Sequence, residues 1–488
     1  MNPKHTKFLK AALCLGLLFT AGALQAKVTL PSVFSDNMVF QQKTKAPVWG
    51  KADAGKTVTV TASWNNKAVT GKADASGNFK IFVATPSYGG PYTVTVSDGE
   101  EVKLNNVLVG DVWVCSGQSN MEMPLAGWGK INNYEQEIKD ANYPKIRLLQ
   151  GVHVTSNKPL DDAKVTNNGW TECTPQYIGD FSAVAYFFAR EITKKTGIPI
   201  GLIHTSWGGT IAEAWTSPET LNAMPDFADK VKEIQAEPDK ADNNPNRVTV
   251  LYNAMIYPYL QFPIKGAIWY QGESNADRAN QYRTLFPAMI KDWRTKWGIG
   301  DFPFYFVQLA NFMDVVNEPQ VSAWAELRDA QKQTLALKNT GMAVIIDAGD
   351  AKDIHPKNKQ DVGKRLAYNA LAKTYGVKIP FSGPVYKSQQ ISGNSIKLNF
   401  TSTDGGLKAK DGGELKGFAI AGADQKFHWA KATIQGDQVV VSSDEVSSPV
   451  AVRYAWANNP VCNFYNGADL PASPFKTDNW PDSTLGKK

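Results

Sequence analysis

Cysteine and histidine are scarce in this sequence, with four and five copies in 488 residues. The cysteines are too widely separated for the paired spacing of a zinc site or for a disulfide framework. The histidines do not cluster either, so neither a metal nor an organic cofactor is expected. This scarcity also means that the search for a catalytic imidazole has few positions to consider.

Long apolar runs are missing from most of the chain, and no segment after residue 26 is long and apolar enough to span a membrane. Residues 1–26 differ in composition, since three lysines precede an apolar run that ends in small residues. This order is typical of a secretory signal peptide. We expect cleavage after Ala26 and a mature protein that is periplasmic or secreted.

A large excess of either charge is missing as well. Loss of residues 1–26 removes three lysines and no acid, which lowers the formal net charge from +6 to +3. So small a charge argues against nucleic acid as a partner. These features predict nothing about the oligomeric state.

Three patterns follow the signal segment. Residues 27–108 contain short alternations of apolar and polar residues between turn signals, which predict a β-sandwich domain. Residues 109–380 alternate buried strands with amphipathic helices, one of them expected to be capped by Asp180. This predicts an α/β domain with a mostly parallel sheet sandwiched by helices. Residues 381–488 return to short strands with Gly-Gly turns, so a C-terminal β domain is expected.

One stretch, residues 111–123 (DVWVCSGQSNMEM), combines a buried strand with a sharp polar ending. Gly117 permits a tight turn, which lifts Ser119 to the end of the strand, where open α/β sheets bind their ligands. A serine there is a candidate nucleophile if a base is available. The simpler interpretation is a helix start capped by Ser119 or Asn120.

Four histidines follow the signal segment, and His355 is the strongest candidate base. It lies in a loop between a buried strand and a helix, with Asp353 two residues earlier to orient the ring. The alternative is a capping loop in which His355 is merely exposed. His204 ends another strand and is a second residue that could line the site. His153 and His428 are interpreted as structural or solvated.

Two further strand ends carry polar groups. Residues 204–210 contain Gly208 and Gly209, whose backbone N–H groups could face an oxyanion, although an ordinary Gly-Gly turn has the same sequence. Residues 269–275 (WYQGESN) place amide and carboxylate side chains beside two aromatic residues. So many polar groups at strand ends favour a binding site.

Together, residues 117–121 (GQSNM), 206–210 (SWGGT), 271–275 (QGESN) and 353–356 (DIHP) resemble the four sequence blocks of the SGNH hydrolases. They are most similar to the carbohydrate-acetylesterase branch that includes the sialate O-acetylesterases. The resemblance extends over most of the mature chain, and the order and spacing of the blocks are specific. It implies an SGNH-type, flavodoxin-like catalytic domain flanked by β-sandwich regions. It also implies an exported serine esterase that removes O-acetyl groups from carbohydrate, most simply from sialate, without a cofactor.

The resemblance implies a role for each matched residue. Ser119 would attack the ester carbonyl, His355 would take its proton, and Asp353 would orient the imidazole. The oxyanion would be bound by the N–H groups of Ser119 and of Gly209 or Gly208. The third donor would be Gln271 or Asn275, with Gln271 preferred because it is nearer the strand end. Side chains expected to contact substrate are Gln118, Asn120, Trp207 and Glu273.

The resemblance has two departures. In the wider superfamily an asparagine of the third block donates to the oxyanion, whereas that block reads QGESN here, so Gln271 or Asn275 must take the role. Many members of the superfamily also carry the acid three residues before the histidine, where this chain has Lys352. Asp350 and Glu273 are therefore alternatives to Asp353. An acetylxylan or other polysaccharide esterase, a non-catalytic glycan-binding protein and a serine peptidase are the competing functions. About half of the aromatic residues that flank the expected site should be core residues. These flanking residues are Trp128, Trp207, Trp215, Trp269 and Tyr270.

Overall fold

A computed structural model describes residues 28–237 and 244–488 of the chain. The expected signal peptide, residues 1–26, lies outside the described residues. Within the described ranges no helix has both the length and the hydropathy needed to cross a membrane.

The N-terminal region is built from β-strands, as the alternating pattern predicts, and they pair antiparallel except for Val39–Gln41, which pairs parallel with Glu101–Gly117. In one of them, residues 78–84, every second side chain is buried, which is the period of a half-buried strand. The strands are β1 (Val39–Gln41), β2 (Lys45–Lys51), β3 (Thr57–Ala62), β4 (Lys67–Lys72), β5 (Asn78–Ala84), β6 (Gly89–Ser97) and β7 (Glu101–Gly117). β2 pairs with β5, while β4, β3, β6 and β7 pair in that order.

The central region alternates strands and helices. Its elements are α1 (Ser119–Glu122), α2 (Tyr134–Lys139), β8 (Tyr143–Gln150), β9 (Thr171–Cys173), α3 (Pro175–Ile178), α4 (Ala183–Thr196), β10 (Ile200–Ser206), α5 (Pro218–Asn222), α6 (Ala228–Ala236), β11 (Gly266–Tyr270), α7 (Ala279–Trp297), β12 (Phe304–Val307), α8 (Ala323–Gln333), β13 (Thr340–Ala343) and α9 (Lys359–Lys373). Helix α4 begins later than expected, since Ser182 rather than Asp180 caps it by accepting the N–H of Ala185.

The central sheet has the order β13-β12-β11-β7-β10-β8-β9, and all its pairs are parallel except β8 with β9. The prediction of a mostly parallel α/β sheet is therefore confirmed. Strand β7 is long enough to contribute to both the N-terminal and the central strand arrangement. Its first half pairs with β6 and β1, and its second half lies between β10 and β11. The boundary expected between residues 108 and 109 thus falls inside one continuous strand.

Helices cover both faces of this sheet. On one face Trp113 of β7 packs edge-on against Phe188 of α4 and stacks on Tyr305 of β12. On the other, Trp269 of β11 packs against Phe286 and Trp293 of α7. Since neighbouring residues of a strand point to opposite faces, large aromatic side chains fill both layers of the core.

The C-terminal region returns to β structure, as expected. Its strands are β14 (Val385–Ser392), β15 (Ser395–Thr401), β16 (Leu407–Ala409), β17 (Phe418–Ala421), β18 (Phe427–Trp429), β19 (Lys431–Gln435), β20 (Gln438–Ser442), β21 (Ala451–Tyr454), β22 (Phe464–Asn466) and β23 (Phe475–Lys476). They form the antiparallel sheets β14-β15-β20-β19 and β18-β17-β21-β23 and the pair β16-β22.

Arg328 of α8 joins this region to the central one. Its guanidinium is fully buried and donates to four backbone carbonyls, two that follow β12 (Leu309, Ala310) and two in the C-terminal region (Ala457, Asn458), at 2.7–2.8 Å. Burial lowers the pKa of Arg328 to about 9. The planar fork of arginine suits this arrangement because it carries five donors in fixed directions.

We expect Arg328→Ala to lower the melting temperature by about 5 °C or more, because it leaves buried carbonyls without donors. Arg328→Lys should be intermediate, since one ammonium cannot reach all four carbonyls. Differential scanning calorimetry measures both, with the exposed Lys291→Ala on α7 as the control. Equal melting temperatures for Arg328→Ala and the control would contradict the assigned role.

Candidate active site

Strand β7 ends at Gly117 in a turn that requires glycine. Its φ is +144°, and a Cβ atom there would lie 2.1 Å from the carbonyl oxygen of Tyr270. Helix α1 begins two residues later with Ser119, which is partly exposed at the carboxyl edge of the sheet. The cap position is held by Gln118, and its side chain makes no capping bond. The alternative in which Ser119 or Asn120 caps the helix is therefore wrong.

The buried side chain of Asn120 connects three segments. Its Nδ2 donates to Glu273 Oε1 at 2.6 Å and to the carbonyl oxygen of Ile354 at 3.0 Å. Its Oδ1 accepts from Lys359 Nζ at 2.6 Å. Because Ile354 directly precedes His355, these bonds bring the serine turn and the histidine loop to the same edge of the sheet.

His355 is half-buried in the loop between β13 and α9. Its Nδ1 lies 3.4 Å from Asp353 Oδ1, and that same oxygen accepts the backbone N–H of His355 at 2.9 Å. Burial and the charge of Lys359 lower the pKa of His355, against the opposing influence of Asp353 and Glu122. The imidazole is thus held towards its neutral form, the form that can accept a proton.

The three candidate acids lie in different environments. Asp353 is the one at ion-pair distance from the ring. Asp350 accepts the backbone N–H of Lys352 in the same loop, and Glu273 binds Asn120. This geometry favours Asp353 as the carboxylate that orients His355.

The two glycines of the second block differ in their backbone hydrogen bonds. Gly208 N–H donates to Glu122 Oε2 at 2.6 Å. The backbone nitrogen of Gly209 has no acceptor within the described ranges. Ser119 N–H, at the start of α1, has no partner within the helix. Of the three backbone N–H groups expected to bind the oxyanion, those of Ser119 and Gly209 therefore have no acceptor within the described ranges, whereas that of Gly208 is occupied.

Gln271 and Asn275 belong to the layer beneath the site. Gln271 Nε2 donates to the Thr210 carbonyl at 3.1 Å and to Asn275 Oδ1 at 2.6 Å, while its Oε1 accepts from Tyr282. Asn275 Nδ2 donates to Glu213 at 2.9 Å. Both amides are buried. With both hydrogens of Gln271 engaged, the oxyanion role expected for it would require these bonds to rearrange.

The residues expected to contact substrate divide into two groups. Trp207 is partly exposed at the site. Asn120 and Gln118 are 1% and 2% exposed, and the carboxylate of Glu273 is buried against Asn120. Gln118 Oε1 accepts from the backbone of the segment after β11. The expectation of direct substrate contact is thus not met for Asn120, whose amide binds protein groups, or for Glu273, whose Oε1 accepts from Asn120 and whose Oε2 is buried.

Comparison with known proteins identifies the family. The family model for carbohydrate esterases described as sialic acid-specific acetylesterases matches residues 109–372. The chain belongs to this family. Sialate O-acetylesterase of Mus musculus is 32% identical over 91% of this chain and 93% of its own length. The Homo sapiens protein of that name is 31% identical over 91% of each chain.

A solved structure supports the same assignment. A carbohydrate acetylesterase from Xanthomonas citri is 42% identical, with a TM-score of 0.85 over 93% of this chain and all of that one. The resemblance stated from the sequence is therefore confirmed, and so is the expectation of an ester hydrolase. Within the described part of this esterase, no group of three His, Cys, Asp or Glu side chains is arranged to hold a metal.

A pair of residues that was not predicted from the sequence, Glu122 and His153, supports the glycine loop of the esterase. Glu122 Oε1 lies 3.1 Å from His153 Nε2, and the His153 ring stacks on Trp207 with centroids 4.3 Å apart. Burial raises the pKa of Glu122, but its contacts with His153, His204 and Gly208 outweigh burial and lower it overall. The available signal was the position of Glu122, one helical turn after Ser119.

His204 does not line the site. It is 1% exposed and lies between Gln150 Oε1 and Ser206 Oγ. Burial lowers its pKa to about 4, which keeps the imidazole neutral. The position of His204 at the end of a strand led to the expectation that its side chain lines the site, but the side chain is buried in the core.

Among the flanking aromatic residues, Trp128 is 55% exposed and Trp207 is partly exposed, whereas Trp215, Trp269 and Tyr270 are buried. The Trp128 ring meets the His355 ring edge-on, with centroids 5.3 Å apart. The division into core residues and site residues agrees with the expectation that about half would be core.

We expect Gly208→Ala to reduce kcat/KM about tenfold, because its Cβ would lie 3.2 Å from Ser119 Cβ and 3.3 Å from Glu122 Oε2. Displacing a reacting group by a fraction of an ångström is costly in rate. Initial rates with p-nitrophenyl acetate measure the effect, and Gly413→Ala in an exposed turn is the control. Unchanged kcat/KM in Gly208→Ala would mean that this close contact does not matter.

Proposed function

We propose that the chain is an exported serine esterase that removes O-acetyl groups from carbohydrate by a Ser-His-Asp mechanism, with O-acetylated sialic acid as its preferred substrate. The observation that carries the mechanism is the set of Asn120 bonds, which hold the turn of Ser119 against the loop of His355. The contact between Asp353 and His355 Nδ1 supports the third role.

In this mechanism Ser119 Oγ attacks the acetyl carbonyl while its proton passes to His355. The oxyanion is stabilised by the N–H groups of Ser119 and Gly209, which are free to donate. His355 then protonates the departing sugar oxygen, leaving acetyl-Ser119. A water molecule, deprotonated by His355, attacks this ester, and His355 returns the proton to Ser119 Oγ as the bond to the acetyl carbon breaks and acetate leaves. Asp353 orients the ring and stabilises the imidazolium throughout.

The choice of sugar rests on the names of the relatives. The mammalian proteins that are 31–32% identical are named for sialate, whereas the 42% identical structure is described as a carbohydrate acetylesterase. Acetylxylan or another acetylated polysaccharide is therefore the alternative substrate. Acetate release from O-acetylated sialic acids, acetylxylan and simple acetylated sugars, compared at equal ester concentration, distinguishes them.

Export is the part of the proposal that rests on sequence alone. The basic, apolar and small-residue order of residues 1–26 supports removal of a signal peptide and release into the periplasm or medium.

Ser119→Ala and His355→Ala are each expected to lower kcat for acetyl esters by about 10⁴-fold, because nucleophile and base act as a unit. Acetate release from p-nitrophenyl acetate measures this. Ser76→Ala, in an exposed turn, and His428→Ala, in the C-terminal region, are matched controls. Near-normal acetate release by Ser119→Ala would contradict the role of Ser119 as nucleophile. No acetate release by the wild-type chain, with glycan binding that Ser119→Ala leaves intact, would favour the glycan-binding alternative, and cleavage of peptides instead of acetyl esters would favour a peptidase.

Trp128→Ala is expected to raise KM for an acetylated sugar about fivefold, since the exposed indole beside His355 offers an apolar face worth ~1 kcal/mol to a sugar ring. For triacetin, an acyclic acetyl ester, KM should change little. A pH-stat measures acetate release from both substrates. The control is Phe82→Ala, an exposed aromatic residue of the N-terminal region, and equal effects on both substrates would argue against sugar contact.

A further inference from the structure

Lys359 is buried at a place where a lysine is costly. It is the first residue of α9, and its relative exposure is 0%. Burial strips water from the ammonium group. The N-terminal end of a helix also carries partial positive charge, which disfavours a cation there. Lys364, one turn further along the same helix, is exposed and incurs neither cost.

The ammonium of Lys359 binds the residue that joins the segments of the site. Its Nζ donates to Asn120 Oδ1 at 2.6 Å and lies 5.6 Å from the ring centroid of Tyr270. The opposite end of the same amide donates to Glu273. A cation and a carboxylate thus hold Asn120 from two sides. Removing the cation would leave Asn120 Oδ1 without its donor beside Ser119.

The charges of this cluster oppose the cost of burial. Burial lowers the pKa of Lys359 to about 7, while Glu273 and Asp353 act to raise it. Burial raises the pKa of Glu273, against the effects of Asn120 and Lys359. Below pH 7 Lys359 is therefore mainly charged. Above pH 7 the neutral amine can still donate to Asn120.

Three charged groups influence His355, each from a different element. Asp353 lies on its own loop, Glu122 on α1 and Lys359 on α9. The first two favour the imidazolium, whereas Lys359 opposes it. Because Lys359 is charged over the acidic range in which His355 titrates, its repulsion acts where the base would otherwise be lost by protonation.

We infer that Lys359 is a positioning residue of this esterase: it holds the turn of Ser119 against the histidine loop through Asn120, and it places a positive charge beside that loop, because Asn120 binds both the Lys359 ammonium and the Ile354 carbonyl. The inference rests on the proposed roles of Ser119 and His355. It adds to the three proposed catalytic residues a fourth residue, which affects both the position of Ser119 and the charge near His355.

The test is the pH profile of Lys359→Met in the full chain, measured with p-nitrophenyl acetate. Methionine has a similar length but neither donor nor charge. We expect kcat to fall about 10- to 100-fold with little change in KM. The acid limb of kcat/KM should move to higher pH, because the cation that opposes His355 protonation is gone. A purely structural role would lower activity without moving this limb.

Two further variants separate the two parts of the role. Lys359→Arg retains the charge and should keep the acid limb near its wild-type position while kcat stays reduced. Lys364→Met is the matched control on the same helix and should behave as wild type. If Lys359→Met does not fold, as judged by circular dichroism, Lys359→Gln keeps a donor, removes the charge and tests the acid limb alone.

An acid limb at its wild-type position in the neutral variants overturns the inference, and so does the same shift in Lys364→Met. These outcomes are distinct from failure of the proposed function. If Ser119→Ala or His355→Ala stays active, the mechanism itself fails. If both are inactive while the Lys359 variants match wild type, only the role of Lys359 is lost.

Discussion

The site depends on the hydrogen bonds of a single buried amide, Asn120. An asparagine side chain can donate and accept at once, and here it does both toward Glu273, Ile354 and Lys359. In buried surroundings such bonds are stronger than in water, and leaving one unmade is costly. Since Asn120 follows the candidate nucleophile and Ile354 precedes the candidate base, one side chain sets the relation between them.

This junction is supported by a scaffold that spans the three sequence regions. Strand β7 runs without interruption from the N-terminal sheet into the centre of the parallel sheet and ends in the turn that carries Ser119. Arg328 attaches the C-terminal region to the segment after β12 through four carbonyls. Functional groups held by rigid elements keep their geometry better than groups on isolated loops. The flanking β regions are thus structurally continuous with the chemical site.

Two groups of charged side chains lie near the candidate serine, one partly exposed around Glu122 and one buried around Lys359. Glu122, held by His153, occupies the N–H of Gly208 and so fixes the glycine loop. Lys359 and Glu273 form the second group, separated by the amide of Asn120. Neither arrangement is needed for a stable core, where apolar residues would pack at lower cost. Their presence beside Ser119 and His355 agrees with an esterase, whose reaction creates and removes charge at this position.

Local patterns in the sequence were sufficient for the order of elements, the mostly parallel sheet and the family. They also predicted the sharp turn at Gly117, which the structure confirms, and the roles proposed for Ser119, His355 and Asp353, because each residue lies in a short motif at the end of a buried strand. A glycine that permits a sharp turn after a buried strand, or a carboxylate two residues from a histidine, depends on few residues close together in the chain. Such short-range constraints can be read without coordinates.

Only the tertiary structure decided how the polar groups divide their hydrogen bonds. From the sequence, Gln271 was expected to bind the oxyanion together with Gly209 or Gly208, and Asn120 and Glu273 were expected to contact substrate. The fold brings Thr210, Asn275 and Glu122 against them and occupies those groups. Glu122 with His153, and Lys359 with Asn120, pair residues 31 and 239 positions apart. The sequence determines which side chains can form hydrogen bonds. Which of them meet, when they lie so far apart in the chain, is determined by the packing of the whole chain.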